Sequence, residues 1–114
     1  MGAVLFDPQE LEARVAGDRE LACDVLETFL QETDRALARL VDAVGQAQAP
    51  AVRAAAHYIK GMAGNVAAGQ LCETCRELEA AALAGDLTSA PALTARVRTL
   101  MGETTSAMRR YLDA

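Results

Sequence analysis

Glycine and proline divide the 114-residue chain into five stretches, and within each stretch apolar residues recur every three or four positions. This spacing places the apolar side chains on one face of a helix. Proline is favoured in the first turn of a helix, and glycine is favoured just past its end. The five helices predicted from this punctuation run from Pro8 to Gly17, Asp18 to Gly45, Pro50 to Gly69, Leu71 to Gly85 and about Ser89 to Tyr111.

Four glycines fall at the ends of these segments, where a residue with a left-handed backbone commonly closes a helix. We therefore expect that conformation at Gly17, Gly45, Gly69 and Gly85. Each connection is only a few residues long, so successive long helices should run antiparallel. The length fits one domain, residues 1–114, and is too short for two. The predicted fold is all-α: an antiparallel up-and-down four-helix bundle with a short additional N-terminal helix.

The charge and composition of the chain argue against several classes of function. Acidic residues outnumber basic ones by 16 to 11, and the net charge of −5 argues against binding to nucleic acid. No segment approaches the roughly 18 consecutive apolar residues of a membrane span, and the start of the chain lacks the cationic region of a signal peptide. Three cysteines, an odd number, fit a reducing compartment better than a disulfide framework. We therefore expect a cytoplasmic protein that binds neither nucleic acid nor membrane.

The single histidine, His57, belongs to the third helical segment but lies away from its apolar face. At about 100° per residue, His57 falls roughly 140° from the centre of that face, so its imidazole should be exposed. Arg53 and Lys60 fall beside it, at about 100° and about 80°. The core face of this helix is predicted to consist of Val52, Ala55, Ala56, Ile59, Ala63 and Val66.

Two glycines, Gly61 and Gly64, lie on the same side of the helix as His57. Each costs roughly 1 kcal/mol relative to alanine within a helix, which indicates that another molecule must approach the backbone closely there. An uncharged imidazole can accept a phosphoryl group and release it again, and Lys60 could pair with the phosphoryl oxygens. No glycine-rich nucleotide loop is visible, so the pattern favours a substrate of phosphoryl transfer with no kinase activity of its own.

Three segments resemble histidine-containing phosphotransfer (HPt) domains. The segment "AAHYIKGMAGNVAA" resembles the family signature, in which histidine is followed by an apolar residue, lysine, glycine and small residues. The segment "FDPQELEARVAGDRELACDVLETFLQETDRALARL" is similar to the family's N-terminal part, and "LCETCRELEAAALAGDL" to the helix after the histidine. The resemblance covers nearly the whole chain. It implies a four-helix bundle with an exposed phosphorylated histidine, acting as an intermediate in a two-component phosphorelay.

Matched position by position, the resemblance implies a role for each residue of the signature. His57 matches the phospho-acceptor and Lys60 the lysine that pairs with the phosphoryl charge. Gly61 matches the glycine that makes room for a partner. Gly64 matches a position that is usually small, and Asn65 a position that is frequently polar. These last three residues are therefore expected to belong to a surface on which partner proteins dock.

The helical layout adds Arg53 and Met62 to this expected docking surface, the first one turn before the histidine and the second on the flank of the core face. One position departs from the family pattern. The family commonly has glycine ten residues after the histidine, where this chain has Ala67. Because alanine is small and favours helix, we expect a slight shift at the helix end and no loss of activity.

The resemblance also implies which molecules the protein meets. The histidine would receive the phosphoryl group from the aspartate of a receiver domain, or from a sensor or hybrid histidine kinase, and pass it to another receiver aspartate. The chain itself would hold no cofactor, and Mg²⁺ would be supplied by the receiver domain. Members of the family usually act as monomers, and no exposed apolar stripe in this sequence requires a dimer.

Two alternatives stay open at this stage. An HPt-like bundle can act as an adaptor that binds and regulates a receiver or kinase without carrying phosphate, although the presence of both His57 and Lys60 favours transfer. A zinc site on Cys72 and Cys75 is less favoured. Cys75 belongs to the core stripe of its helix, and only Cys23 and His57 remain as further soft ligands. We therefore expect no metal site.

Overall fold

A computed structural model describes residues 2–114, and the regular structure within them is helical throughout. This confirms the predicted all-α class and the short additional N-terminal helix. The helices begin and end within a few residues of the boundaries predicted from glycine and proline. They are α1 (Pro8–Arg14), α2 (Arg19–Gly45), α3 (Ala49–Asn65), α4 (Gly69–Leu83) and α5 (Ala90–Asp113).

The four long helices form a closed ring of packed neighbours. Helix α2 packs against α3 and α5, and α4 packs against the same two helices from the other side. Short connections make each helix antiparallel to the next, as expected of an up-and-down bundle. All six residues predicted for the core face of α3 are buried. Large, fully buried apolar side chains come from all five helices, and they include Leu11, Leu26, Leu40, Ile59, Leu71, Leu78, Val97 and Met108.

The segment before α2 closes one end of the bundle, beside the turn that joins α3 to α4. The Asp7 side chain caps α1 by accepting a hydrogen bond from the Glu10 backbone N–H at 3.1 Å. The Asp7 backbone N–H donates to the Ala67 carbonyl at 3.1 Å, and the Gln70 N–H donates to the Val4 carbonyl at 2.9 Å. These backbone bonds attach the N-terminal segment to the α3–α4 turn, so this turn has a defined position relative to the bundle.

Two of the four glycines expected to have a left-handed backbone adopt it, and the expectation for the other two is wrong. Gly17 and Gly85 have φ of +79° and +74°. Gly45 is instead the last residue of α2, and the left-handed residue after it is Ala47, with φ of +53°. Gly69 is the first residue of α4, where a Cβ would come within 2.9 Å of the Val4 carbonyl oxygen. The absence of a side chain at 69 therefore permits the N-terminal segment to approach.

The end of α3 resembles that of α2, because an alanine takes the left-handed conformation. Ala67 has φ of +59° and is buried. A slight shift of the helix end is expected at this position. In the structure α3 ends at Asn65, and Ala67 is a strained left-handed residue in the turn that follows.

No helix within residues 2–114 is both long enough and apolar enough to cross a membrane.

Replacing Ala47 with glycine should stabilise the protein by about 0.5–1 kcal/mol in the free energy of unfolding. A left-handed backbone costs an L-residue roughly 1–2 kcal/mol, and glycine avoids this cost. Glycine also loses more conformational entropy on folding, which offsets roughly 0.5–1 kcal/mol of the gain. Ala47 is exposed, so no buried contact is lost. Urea denaturation measures the change. The matched control is Gly85→Ala, which should destabilise by a similar amount. A lower unfolding free energy for Ala47→Gly would contradict the assignment.

Candidate functional site

His57 lies midway along α3, and 68% of its side chain is exposed, as predicted from the helical layout. Its Nδ1 atom lies 2.8 Å from Oε2 of Glu79 on α4. An ionised carboxylate only accepts hydrogen bonds, so Nδ1 carries the proton and donates it to Glu79. The other ring nitrogen, Nε2, then holds a lone pair, which is the arrangement required of an imidazole nucleophile.

Glu79 also binds Lys60, so that one carboxylate joins the two residues of α3. Lys60 Nζ lies 2.5 Å from Oε1 of Glu79, while Oε2 accepts from His57. Only 16% of the Glu79 side chain and 27% of the Lys60 side chain are exposed. The hydrogen bond from Lys60, followed by that from His57, holds the pKa of the Glu79 carboxyl below its usual range. We call these three residues the His57–Glu79–Lys60 triad.

Glu79 is absent from the site residues predicted from sequence. A helical layout of α3 shows which of its side chains point away from the core, but not which residue of α4 lies opposite. The hairpin geometry contains a usable signal. His57 and Glu79 lie at equal separations before and after Ala68, in the turn between two antiparallel helices. Residues equally far from the turn of such a hairpin lie opposite one another, so a search for carboxylates at mirrored positions would have found Glu79.

The two glycines beside His57 leave the surface of α3 bare. A Cβ atom built at Gly61 or Gly64 would meet nothing within 4 Å, so neither glycine is required by packing inside the protein. The carbonyl oxygen of Gly64 accepts a hydrogen bond from Nη1 of Arg14, whose Nη2 pairs with Glu10 at 2.8 Å. Arg14, which was not predicted, thereby connects α1 to the end of α3.

The remaining predicted residues divide between two grooves on either side of α3. Met62 and Asn65 lie in the α2–α3 groove, a cavity of about 250 Å³ that also contacts Phe29 and Tyr58. Arg53 lies on the other side, in the α3–α4 groove. This cavity of about 410 Å³ is lined by Pro50, Arg53, Ala54, His57, Tyr58 and Glu79. The structure therefore brings Arg53 together with His57, and it places Met62 and Asn65 around the helix from them.

Comparison with known proteins identifies the family. The sequence model of the Hpt domain family matches residues 24–107 of this chain. The chain belongs to the Hpt domain family. It is also similar to a crystal structure of histidine-containing phosphotransfer protein B (HptB) from Pseudomonas aeruginosa PAO1. The TM-score is 0.88 and the sequence identity 27%, over 96% of this chain and 96% of that chain. No curated protein matches the sequence significantly.

Membership of the Hpt family confirms the resemblance seen in the sequence and the role in histidine phosphotransfer that it implies. Hpt domains are histidine phosphotransfer carriers in phosphorelays rather than kinases, and they interact with receiver domains and histidine kinases. The all-helical bundle agrees with the fold of HptB. This Hpt domain thus has both the fold of a phosphoryl carrier and one exposed imidazole with an oriented ring.

The two cysteines of α4 differ in burial, since Cys75 is buried and Cys72 is half-buried. Burial, with smaller contributions from Cys72 and Glu79, raises the pKa of the Cys75 thiol to about 12. Within residues 2–114, no three potential ligands among histidine, cysteine, aspartate and glutamate come together.

The carboxyl of Glu79 should titrate below the ordinary glutamate value, and Lys60→Gln should raise its pKa because the hydrogen bond that lowers it most is lost. A lowered folded-state pKa means that the ionised triad stabilises the fold above the unfolded value of about 4.3. This contribution is lost as the pH falls through the folded-state pKa. Carboxyl ¹³C NMR measures both values. Arg98→Gln, on the exposed side of α5, is the control and should leave the titration in place. An unshifted Glu79 in the wild type would contradict the triad.

Proposed function

We propose that this Hpt domain carries a phosphoryl group on Nε2 of His57, as an intermediate between the aspartates of two receiver domains or between a kinase and a receiver. The observation that carries the proposal is the exposed imidazole whose Nδ1–H is held by Glu79. That hydrogen bond orients the ring and leaves the Nε2 lone pair free toward solvent. The bare backbone at Gly61 and Gly64 supports close approach by a partner.

The transfer step requires no proton to leave the site. The lone pair of Nε2 forms a bond to phosphorus while the bond from phosphorus to the aspartyl oxygen breaks, and the aspartate leaves as a carboxylate. The ring keeps its proton on Nδ1 and becomes cationic when Nε2 is phosphorylated. Glu79 balances this positive charge through the same hydrogen bond. Reversal of these steps delivers the group to the next receiver, so the same geometry serves both directions.

The partner would supply the rest of the chemistry. We propose that the chain holds no cofactor and that the Mg²⁺ needed to neutralise the transferring group belongs to the receiver domain. A short-lived complex of a monomer with each partner would suit a carrier that must exchange partners. The docking surface would include Gly61 and Gly64 in the centre, with Met62 and Asn65 on the α2 side. The chain would have no kinase activity of its own, because its sequence contains no glycine-rich nucleotide loop.

Transfer of labelled phosphate from a panel of phosphorylated receiver domains tests this function. The wild type should take up label that is labile in acid and stable in base, and His57→Gln should take up none. Circular dichroism of the variant checks that the exposed substitution leaves the bundle folded. A wild-type protein that binds one receiver but takes label from none would replace the proposed carrier with the adaptor.

The charge of Glu79 should matter for the rate of transfer. In Glu79→Gln the amide oxygen can still accept from Nδ1, but it no longer balances the cationic ring. The rate should fall about tenfold, the difference between a charged and a neutral hydrogen bond. Glu77→Gln is the matched control, because it removes an exposed carboxylate from the same helix and should leave the rate unchanged. Equal rates for the two variants would show that Glu79 has no electrostatic role.

A further inference from the structure

Two cationic residues of α3 flank His57, and they differ in whether their charge is already balanced. Lys60 is mostly buried and paired with Glu79 at 2.5 Å. Arg53, one turn before the histidine, is exposed, and no carboxylate within residues 2–114 forms an ion pair with it. A phosphoryl group on His57 would bring about two negative charges to this surface. Of the two cations, only Arg53 is free to balance them without first breaking an existing ion pair.

Arg53 and the imidazole face the same open space. Both line the α3–α4 groove of about 410 Å³, together with Glu79. Between them the surface of α3 carries only Ala54, so no large side chain separates the guanidinium from the ring. A phosphoryl group is small compared with this cavity. The groove therefore has room for the group and for a guanidinium folded over it.

The geometry of the helix brings the imidazole of His57 toward Arg53. Side chains on a helix lean toward its N-terminus, so the imidazole of His57 covers the turn that carries Arg53. Residues four apart have Cβ atoms about 5–6 Å from each other, well within the reach of an arginine. Because the Nδ1 edge of the ring is turned to Glu79 on α4, the Nε2 edge is the one left without a hydrogen bond to the described residues.

The chemistry of guanidinium suits the task. Arginine presents a planar fork of N–H donors that matches two phosphoryl oxygens at once, whereas lysine offers a single point charge. From these observations, and on the basis of the function proposed above, we propose that Arg53 binds the oxygens of the phosphoryl group on His57. Lys60 remains bound to Glu79, and Glu79 holds the ring. Arg53 forms no covalent bond in the transfer. It stabilises the group electrostatically as the Nε2–phosphorus bond forms and as it breaks.

Chemical phosphorylation tests this role without any partner protein. Phosphoramidate transfers its phosphoryl group to the imidazole as its own phosphorus–nitrogen bond breaks and ammonia leaves. The ³¹P NMR signal of the phosphohistidine is then followed between about pH 5.5 and 9, across the second ionisation of the group. The charged groups that face it are Arg53 and Lys60 of α3, Glu79 of α4 and, beside Tyr58, Glu32 of α2.

A bound guanidinium favours the dianion, so removing it should raise the pKa of the phosphoryl group. We expect Arg53→Gln to raise it by about 0.5 unit, which is typical of one exposed ion pair. Arg53→Lys should retain most of the wild-type value, because it keeps the charge. Arg98→Gln should retain all of it, because that residue lies on α5, outside the grooves beside α3. A structural role for Arg53 alone would leave this titration in place in all three variants.

The outcomes separate the two proposals. An unchanged titration in Arg53→Gln, with a raised pKa in Lys60→Gln, would assign the phosphoryl contact to Lys60 and overturn the role of Arg53. A titration that depends on Arg53 in a protein that exchanges phosphate with no receiver would retain this role and overturn the proposed relay function. A wild type that gives no phosphohistidine signal, or the same signal as His57→Gln, would overturn both.

Discussion

The site depends on the close packing of α3 against α4. The buried faces of these helices contain small residues, among them Ala56 and Ala63 on α3 and Cys75 on α4. Small side chains let two helix axes approach, because ridges formed by short residues need little space. A glutamate on α4 can then reach across to α3 and accept hydrogen bonds at 2.8 Å and 2.5 Å. The orientation of the imidazole therefore follows from the core beneath it.

Much of this arrangement follows from periodicity, and the rest does not. The spacing of apolar residues within α3 predicts both the buried face around Ile59 and the exposure of His57, because one helix has only one rotational setting toward its core. The partner of His57 depends instead on the register between two helices. That register is set by the turn at Ala67, where the left-handed residue is an alanine and not the expected Gly69. Intrinsic preferences alone place such a turn at the glycine.

Helix α3 contributes to three surfaces at once. One face is buried in the bundle, a second meets Glu79 of α4, and a third lines the α2–α3 groove with Met62. Gly61 and Gly64 are exposed or half-buried, with open space where their side chains would be. Each forgoes roughly 1 kcal/mol of helix stability relative to alanine. Packing within the chain offers no compensation for that loss, which is consistent with the docking surface proposed above.

The alanine at position 67 shows how a local departure from the family pattern can leave the site in place. Its left-handed backbone is costly for an L-residue, but its buried methyl group offsets part of that cost. The turn is also held from both sides. The Ala67 carbonyl accepts from the Asp7 N–H, and the Ala68 N–H donates to the Ala63 carbonyl at 2.9 Å. These bonds fix where α3 ends, so the strain stays within the turn and His57 keeps its position opposite Glu79.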